Sequence, residues 1–96
     1  MLALRPTCEC CSKPLPPDAR DAMICSFECT FCESCVFSQL QNVCPNCGGG
    51  FQFRPIRPKA RLASRPASTE VHAAGVDVEQ HRAFLERYVA IPPAER

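Results

Sequence analysis

Apolar positions along this chain form no long amphipathic stretch until its last quarter. In residues 1–53 they come as isolated positions and short runs: Leu15, Met23, Ile24, Phe27, Phe31, Val36, Phe37, Leu40 and Val43. Ala22-Met23-Ile24 predicts a short strand running into Cys25, and Val36 to Gln41 predicts about one and a half turns of helix after Cys35. Phe51-Gln52-Phe53, after the flexible Gly48-Gly49-Gly50, alternates like another short strand. Through residues 54–75, Pro55, Pro58 and Pro66 interrupt any helix or strand ladder, which predicts an extended, polyproline-like linker. Residues 76–91 then read as a helix: Val78, His81, Leu85 and Tyr88 recur at helical spacing, and Phe84 and Val89 widen the stripe. Asp77 is its expected cap, with Gln80 three residues on as in a capping box, and Pro92-Pro93 ends it. A helix of about 14 residues is marginal alone, so it is expected to pack on the preceding module, a partner or a second copy.

The apolar positions of residues 1–53 are too few to hold a chain of that size by burial alone. Cysteine changes the picture. All nine cysteines fall within residues 8–47, eight of them in close pairs: Cys8/Cys11, Cys25/Cys29, Cys32/Cys35 and Cys44/Cys47. Disulfides are the competing staple, but they belong with a secretory leader. Met1-Leu2-Ala3-Leu4 gives way at once to Arg5-Pro6-Thr7-Cys8, and an odd number of cysteines leaves one unpaired. No stretch approaches the ~18 apolar residues of a membrane span. A cytoplasmic chain with reduced thiols is therefore expected.

Two cysteines separated by two residues reach one soft metal ion without strain, and eight thiols are the ligand count of two tetrahedral zinc sites. Iron–sulfur ligation fits less well because the eight split so naturally into two sets of four. The spacing leaves two groupings open. In one, Cys8, Cys11, Cys32 and Cys35 share an ion while Cys25, Cys29, Cys44 and Cys47 share the other; in the second, consecutive pairs combine. Cys10, the ninth cysteine, reads as a spare thiol shielded by the first metal turn. It could instead replace Cys8 or Cys11 as a ligand, or react as a thiolate favoured by Lys13. His72 and His81 lie far from the cysteines in sequence, and His81 belongs to the helix stripe.

Net charge is +1, yet it is unevenly spread. Residues 1–50 carry three basic and five acidic side chains. Eight thiolates around two divalent ions would add a formal charge of about −4. Arg54, Arg57, Lys59, Arg61 and Arg65 follow with no acidic residue among them, a candidate contact for nucleic-acid phosphates or an acidic partner. Against nucleic acid stand the small number of charges and the lack of aromatic stacking platforms in that stretch.

The order of the pairs, the C-x3-C spacing of the second, the run Cys29-Thr30-Phe31-Cys32-Glu33-Ser34-Cys35-Val36 and the closing Cys44-Pro45-Asn46-Cys47 resemble a RING finger, with Cys29 in the place usually held by histidine. The longer run from Leu4-Arg5-Pro6 through Cys47-Gly48-Gly49 to Arg54-Pro55-Ile56-Arg57-Pro58 closely resembles the DUF1272 family of short bacterial cysteine-rich proteins, whose function is unassigned. The resemblance implies a small zinc-stabilised α+β fold of treble-clef type, with a short β-hairpin, one short helix and cross-braced ligation, the first of the two groupings above. It does not bring ubiquitin-ligase activity. Of the surface positions by which RING ligases hold a conjugating enzyme, only Pro45 matches; Cys10 stands where an apolar residue is usual, tryptophan is absent and Gly48 follows Cys47.

Fully thiolate-ligated zinc keeps no open position for hydrolytic chemistry, and no nucleophile–base set stands out, so no enzyme is expected. The expected role is a structural zinc module in a small adaptor that binds an unknown protein partner. A nucleic-acid-associated protein using the basic linker and a redox- or zinc-responsive thiol protein are the alternatives.

Overall fold

The computed structural model describes residues 1–96. Its centre is a three-stranded antiparallel sheet in the order β2-β1-β3, built from β1 (Ala22–Ile24), β2 (Thr30–Cys32) and β3 (Gln52–Phe53). β1 and β2 form a hairpin with Met23 opposite Phe31, and β3 joins the other side of β1 with Phe53 opposite Met23. The turn of the hairpin is the second cysteine pair itself. Cys25 N donates to Cys29 O at 3.2 Å, Glu28 N donates to Cys25 O at 3.0 Å, and Glu28 takes the left-handed conformation needed to close the turn.

β2 is an element that apolar alternation did not predict, because both neighbours of Phe31 are residues whose burial comes from the fold: Thr30 is buried and Cys32 faces a thiol cluster. The helix also begins earlier than Val36. A single α-turn, α1 (Glu33–Cys35), starts directly after β2 and widens into a π-helical segment, Val36–Leu40. Asn42 N donates back to Val36 O at 3.0 Å, and left-handed Gln41 and Asn42 end the segment. The core under the sheet is small. Leu15, Met23, Phe31, Val36, Leu40 and Phe51 pack around the buried cysteines, with the Phe31 and Phe51 rings edge to face, 5.4 Å between centroids.

The expectation of extended chain throughout residues 54–75 is corrected at one place. Between Pro58 and Pro66 lie seven proline-free residues, enough for one helical turn, α2 (Lys59–Leu62). The segment is also strapped to the beginning of the chain: Arg57 donates to Leu2 O at 2.7 Å, Ser68 N to Ala3 O at 2.8 Å, and Gly75 N to Glu9 O at 3.1 Å. α3 (Val78–Tyr88) starts at Asp77, whose carboxylate accepts the Gln80 amide at 3.1 Å. A short 3-10 turn, Pro93–Glu95, follows. No helix is long and apolar enough to cross a membrane.

Candidate metal centres

Local turns present the thiols. The first pair sits in a tight ribbon braced by an antiparallel bridge between Thr7 and Pro14. There Ser12 N donates to Cys8 O at 2.9 Å, with Ser12 in the left-handed region. The last pair repeats this construction: Gly48 N donates to Cys44 O at 2.8 Å, and Gly48 has φ +79°. Cys25 directly follows β1, Cys32 ends β2 and Cys35 lies in α1.

Two separate groups result. The sulfurs of Cys8, Cys11, Cys32 and Cys35 all lie within 4.8 Å of one another, and so do those of Cys25, Cys44 and Cys47. The first pair thus meets the third, and Cys25 of the second meets the fourth. Consecutive pairs do not combine. A Zn–S bond of about 2.3 Å gives a regular tetrahedron with S···S edges of about 3.8 Å. The Cys11 and Cys32 sulfurs are 3.8 Å apart, so this edge of the first group matches the spacing that zinc requires. All nine cysteines are free thiols. Both groups are positioned to hold structural zinc ions.

Cys29 stands slightly apart. It is buried and close enough to Cys25 and Cys44 to shift their thiols, yet it does not join their tight group. Its sulfur accepts the Asn46 side-chain amide at 3.4 Å. Arg5 also interacts with it: burial works against the Arg5 charge, but Glu9, bonded at 3.0 Å, and the Cys29 sulfur outweigh it and raise the pKa.

Backbone amides support the thiolates. Cys10 N and Cys32 N both point at Cys8 Sγ (3.4 and 3.3 Å), Phe27 N at Cys25 Sγ (3.3 Å) and Gly49 N at Cys47 Sγ (3.4 Å). Such donors spread ligand charge and orient the sulfurs. The thiols also perturb one another. Hydrogen bonds from the Cys29 and Cys44 thiols hold Cys25 down to about 3, while Cys25 and then Cys29 push Cys44 far up. Burial, then the Cys32 thiol, pushes Cys35 up. So many thiols packed this closely cannot all ionise unless a cation sits among them. The donor chemistry therefore calls for a metal.

Cys10 joins neither group. Its half-buried thiol donates to Gln39 Oε1 at 3.4 Å, and burial raises its pKa. No histidine belongs to either group. His81 instead has a task that its place in an amphipathic stripe did not disclose: it is 7% exposed, with Nε2 3.1 Å from both Leu40 O and Val43 O.

Among the five basic residues, Arg54 requires a correction. It is 4% exposed, and its guanidinium donates to Arg5 O (2.9 Å), Leu15 O (3.1 Å) and Pro16 O (2.9 Å). It is an internal brace and cannot reach a phosphate. Arg57 is likewise engaged with Leu2 and Arg65 carbonyls. Lys59, Arg61 and Arg65 remain exposed.

Residues 1–57 match the profile of a family described as "Protein of unknown function (DUF1272)". The chain belongs to this family. It is also 59% identical over 69 residues to an uncharacterized protein of Rhizobium meliloti (strain 1021), an alignment covering 72% of this chain and 82% of that protein. No solved structure matches. The matched family residues contain both thiol groups and the sheet, while α2 and α3 lie beyond them.

Proposed function

We propose that this DUF1272 protein is a structural zinc module that serves as a small adaptor for a protein partner in the bacterial cytoplasm, and that it is not an enzyme. In this reading one zinc is held by Cys8, Cys11, Cys32 and Cys35, and the other by Cys25, Cys44 and Cys47 with Cys29 closing the set in a cross-braced, RING-like manner. The observation that carries the reading is the donor set: four closely spaced thiols with amide support complete the first coordination shell, three more form the second group, and in this reading buried Cys29 supplies its fourth ligand and takes the place of a reacting water. An adaptor also needs surface to offer. Phe27 is 70% exposed and Phe37 57% exposed, large apolar side chains that the small core leaves outside.

The test compares affinity capture by wild type with capture by Phe27→Ser and Phe37→Ser variants shown by native mass spectrometry to hold two zinc ions. Loss of a specific bound protein at unchanged metal content supports the adaptor role. Identical capture by all three proteins removes these two side chains from it.

Nucleic-acid binding is the second reading, favoured by exposed Lys59, Arg61 and Arg65. With Arg54 internal and Arg57 engaged by carbonyls, three exposed charges give it little electrostatic reach. A salt titration against generic DNA and RNA decides: no detectable binding at low salt ends this reading.

A further inference from the structure

The C-terminal segment makes its polar contacts with the rest of the chain at one place. His81 Nε2 lies 3.1 Å from Leu40 O and Val43 O, and the Arg96 guanidinium donates to Asn42 O at 2.9 Å and Gly48 O at 3.1 Å. All four carbonyls flank the Cys44–Cys47 turn, which supplies two thiols of the second group. The apolar contacts converge there too. A Cβ added to Gly48 would come within 2.8 Å of the Tyr88 ring and 3.3 Å of the Phe84 ring, so both rings rest directly on the turn's closing residue. The first thiol group receives no polar contact from residues 78–96.

We propose that α3 is a clamp on the second metal site, so that zinc in that site and docking of the helix stabilise each other while the first site is indifferent. The reasoning is thermodynamic. The Cys44–Cys47 turn must hold both sulfurs in one geometry to bind an ion, and residues that orient ligands commonly contribute 10–100-fold to metal affinity. α3 has only 11 residues and is marginal when undocked. If helix docking favours the metal-competent turn, metal binding favours docking by the same factor. His81 and Tyr88 are then positioning residues for a site they never touch. Loss of the second zinc would release α3 and uncover Phe84 and Tyr88, turning metal occupancy into an exposed apolar surface. This rests on the assignment of a metal to the second thiol group.

The experiment uses the full zinc-loaded chain and follows zinc transfer to a chromophoric chelator, with the two release phases assigned by a Cys47→Ser variant. His81→Ala and Tyr88→Ala should each speed second-site release about 10–100-fold and leave the first phase unchanged. Tyr88→Phe, which keeps the ring on Gly48, should release at the wild-type rate. Hydrogen exchange should show residues 78–88 losing protection in Cys47→Ser while the β1–β2 hairpin keeps it. The clamp is overturned if the release rates do not change, if both phases shift equally, or if α3 stays protected with the second site empty. Fewer than two zinc ions on the wild type would overturn the metal assignment and the clamp together; two ions with unaltered release would overturn the clamp alone.

Discussion

Arg54→Ala should unfold this protein far more readily than any other single loss of a surface-type side chain. The guanidinium bridges backbone carbonyls 38 to 49 residues earlier in the chain, joining the end of β3 to both sides of the ribbon that carries the first cysteine pair. Hydrogen bonds from a charged donor are each worth about 1.5–3 kcal/mol. They do not simply add, because the partly buried carbonyls of Arg5 and Pro16 can recover water whereas the buried Leu15 carbonyl cannot. A loss of about 3–4 kcal/mol follows, close to that of breaking a buried charged network. In a domain of this size that lowers the melting temperature by more than about 10 °C. Arg54→Lys should recover only part of it, because one ammonium cannot span three carbonyls as the planar fork does. The assay is thermal unfolding of zinc-loaded protein with metal content checked beforehand. A melting temperature within about 2 °C of wild type, with weakened DNA binding instead, would refute the internal brace and return Arg54 to the surface.

Gly48→Ala places a Cβ at a left-handed position and drives it into the Tyr88 ring; we expect a cost of about 1–2 kcal/mol from the backbone alone, read as a lower denaturation midpoint. Asp77→Ala removes the carboxylate that accepts from Gln80 N and should cost about 1 kcal/mol, visible as increased exchange in the first turn of α3. Cys10→Ser should still bind two zinc ions, since Cys10 lies in neither thiol group; native mass spectrometry showing a lost ion would make it a ligand. The upward shifts of Cys35 and Cys44 leave these thiols protonated in the metal-free protein at neutral pH. Zinc must expel those protons, so its affinity should rise with pH through the neutral range. Calorimetry in buffers of different ionisation enthalpy should register the released protons, and a pH-independent affinity would contradict the shifts.

Several features were legible in residue order because their causes are local. A C-x2-C pair can reach a single ion whatever surrounds it, Asp77 caps whichever helix follows it, and Ala22-Met23-Ile24 needs only its own side chains to favour a strand. β2 was hidden because its residues are buried by their partners and not by their own alternation. The turn α2 was hidden because the prolines around it dominated the pattern, although the seven residues between Pro58 and Pro66 were free to coil.

Arg54 and His81 show the deeper division. Both were assigned from residue type, one to a basic stretch and one to a helix stripe, and each owes its role to backbone carbonyls that converge from distant parts of the chain. Such carbonyls belong to every residue alike and carry no mark in sequence. The same holds for the interleaving of the thiols. Spacing sets how many cysteines share an ion, but which pairs meet depends on where the hairpin, α1 and the closing turn bring their sulfurs. Ligand number is therefore a property of short-range covalent geometry. Ligand grouping, the buried arginine and the docked helix arise from long-range packing, where the free energy of a contact exists only once both of its halves have been brought together.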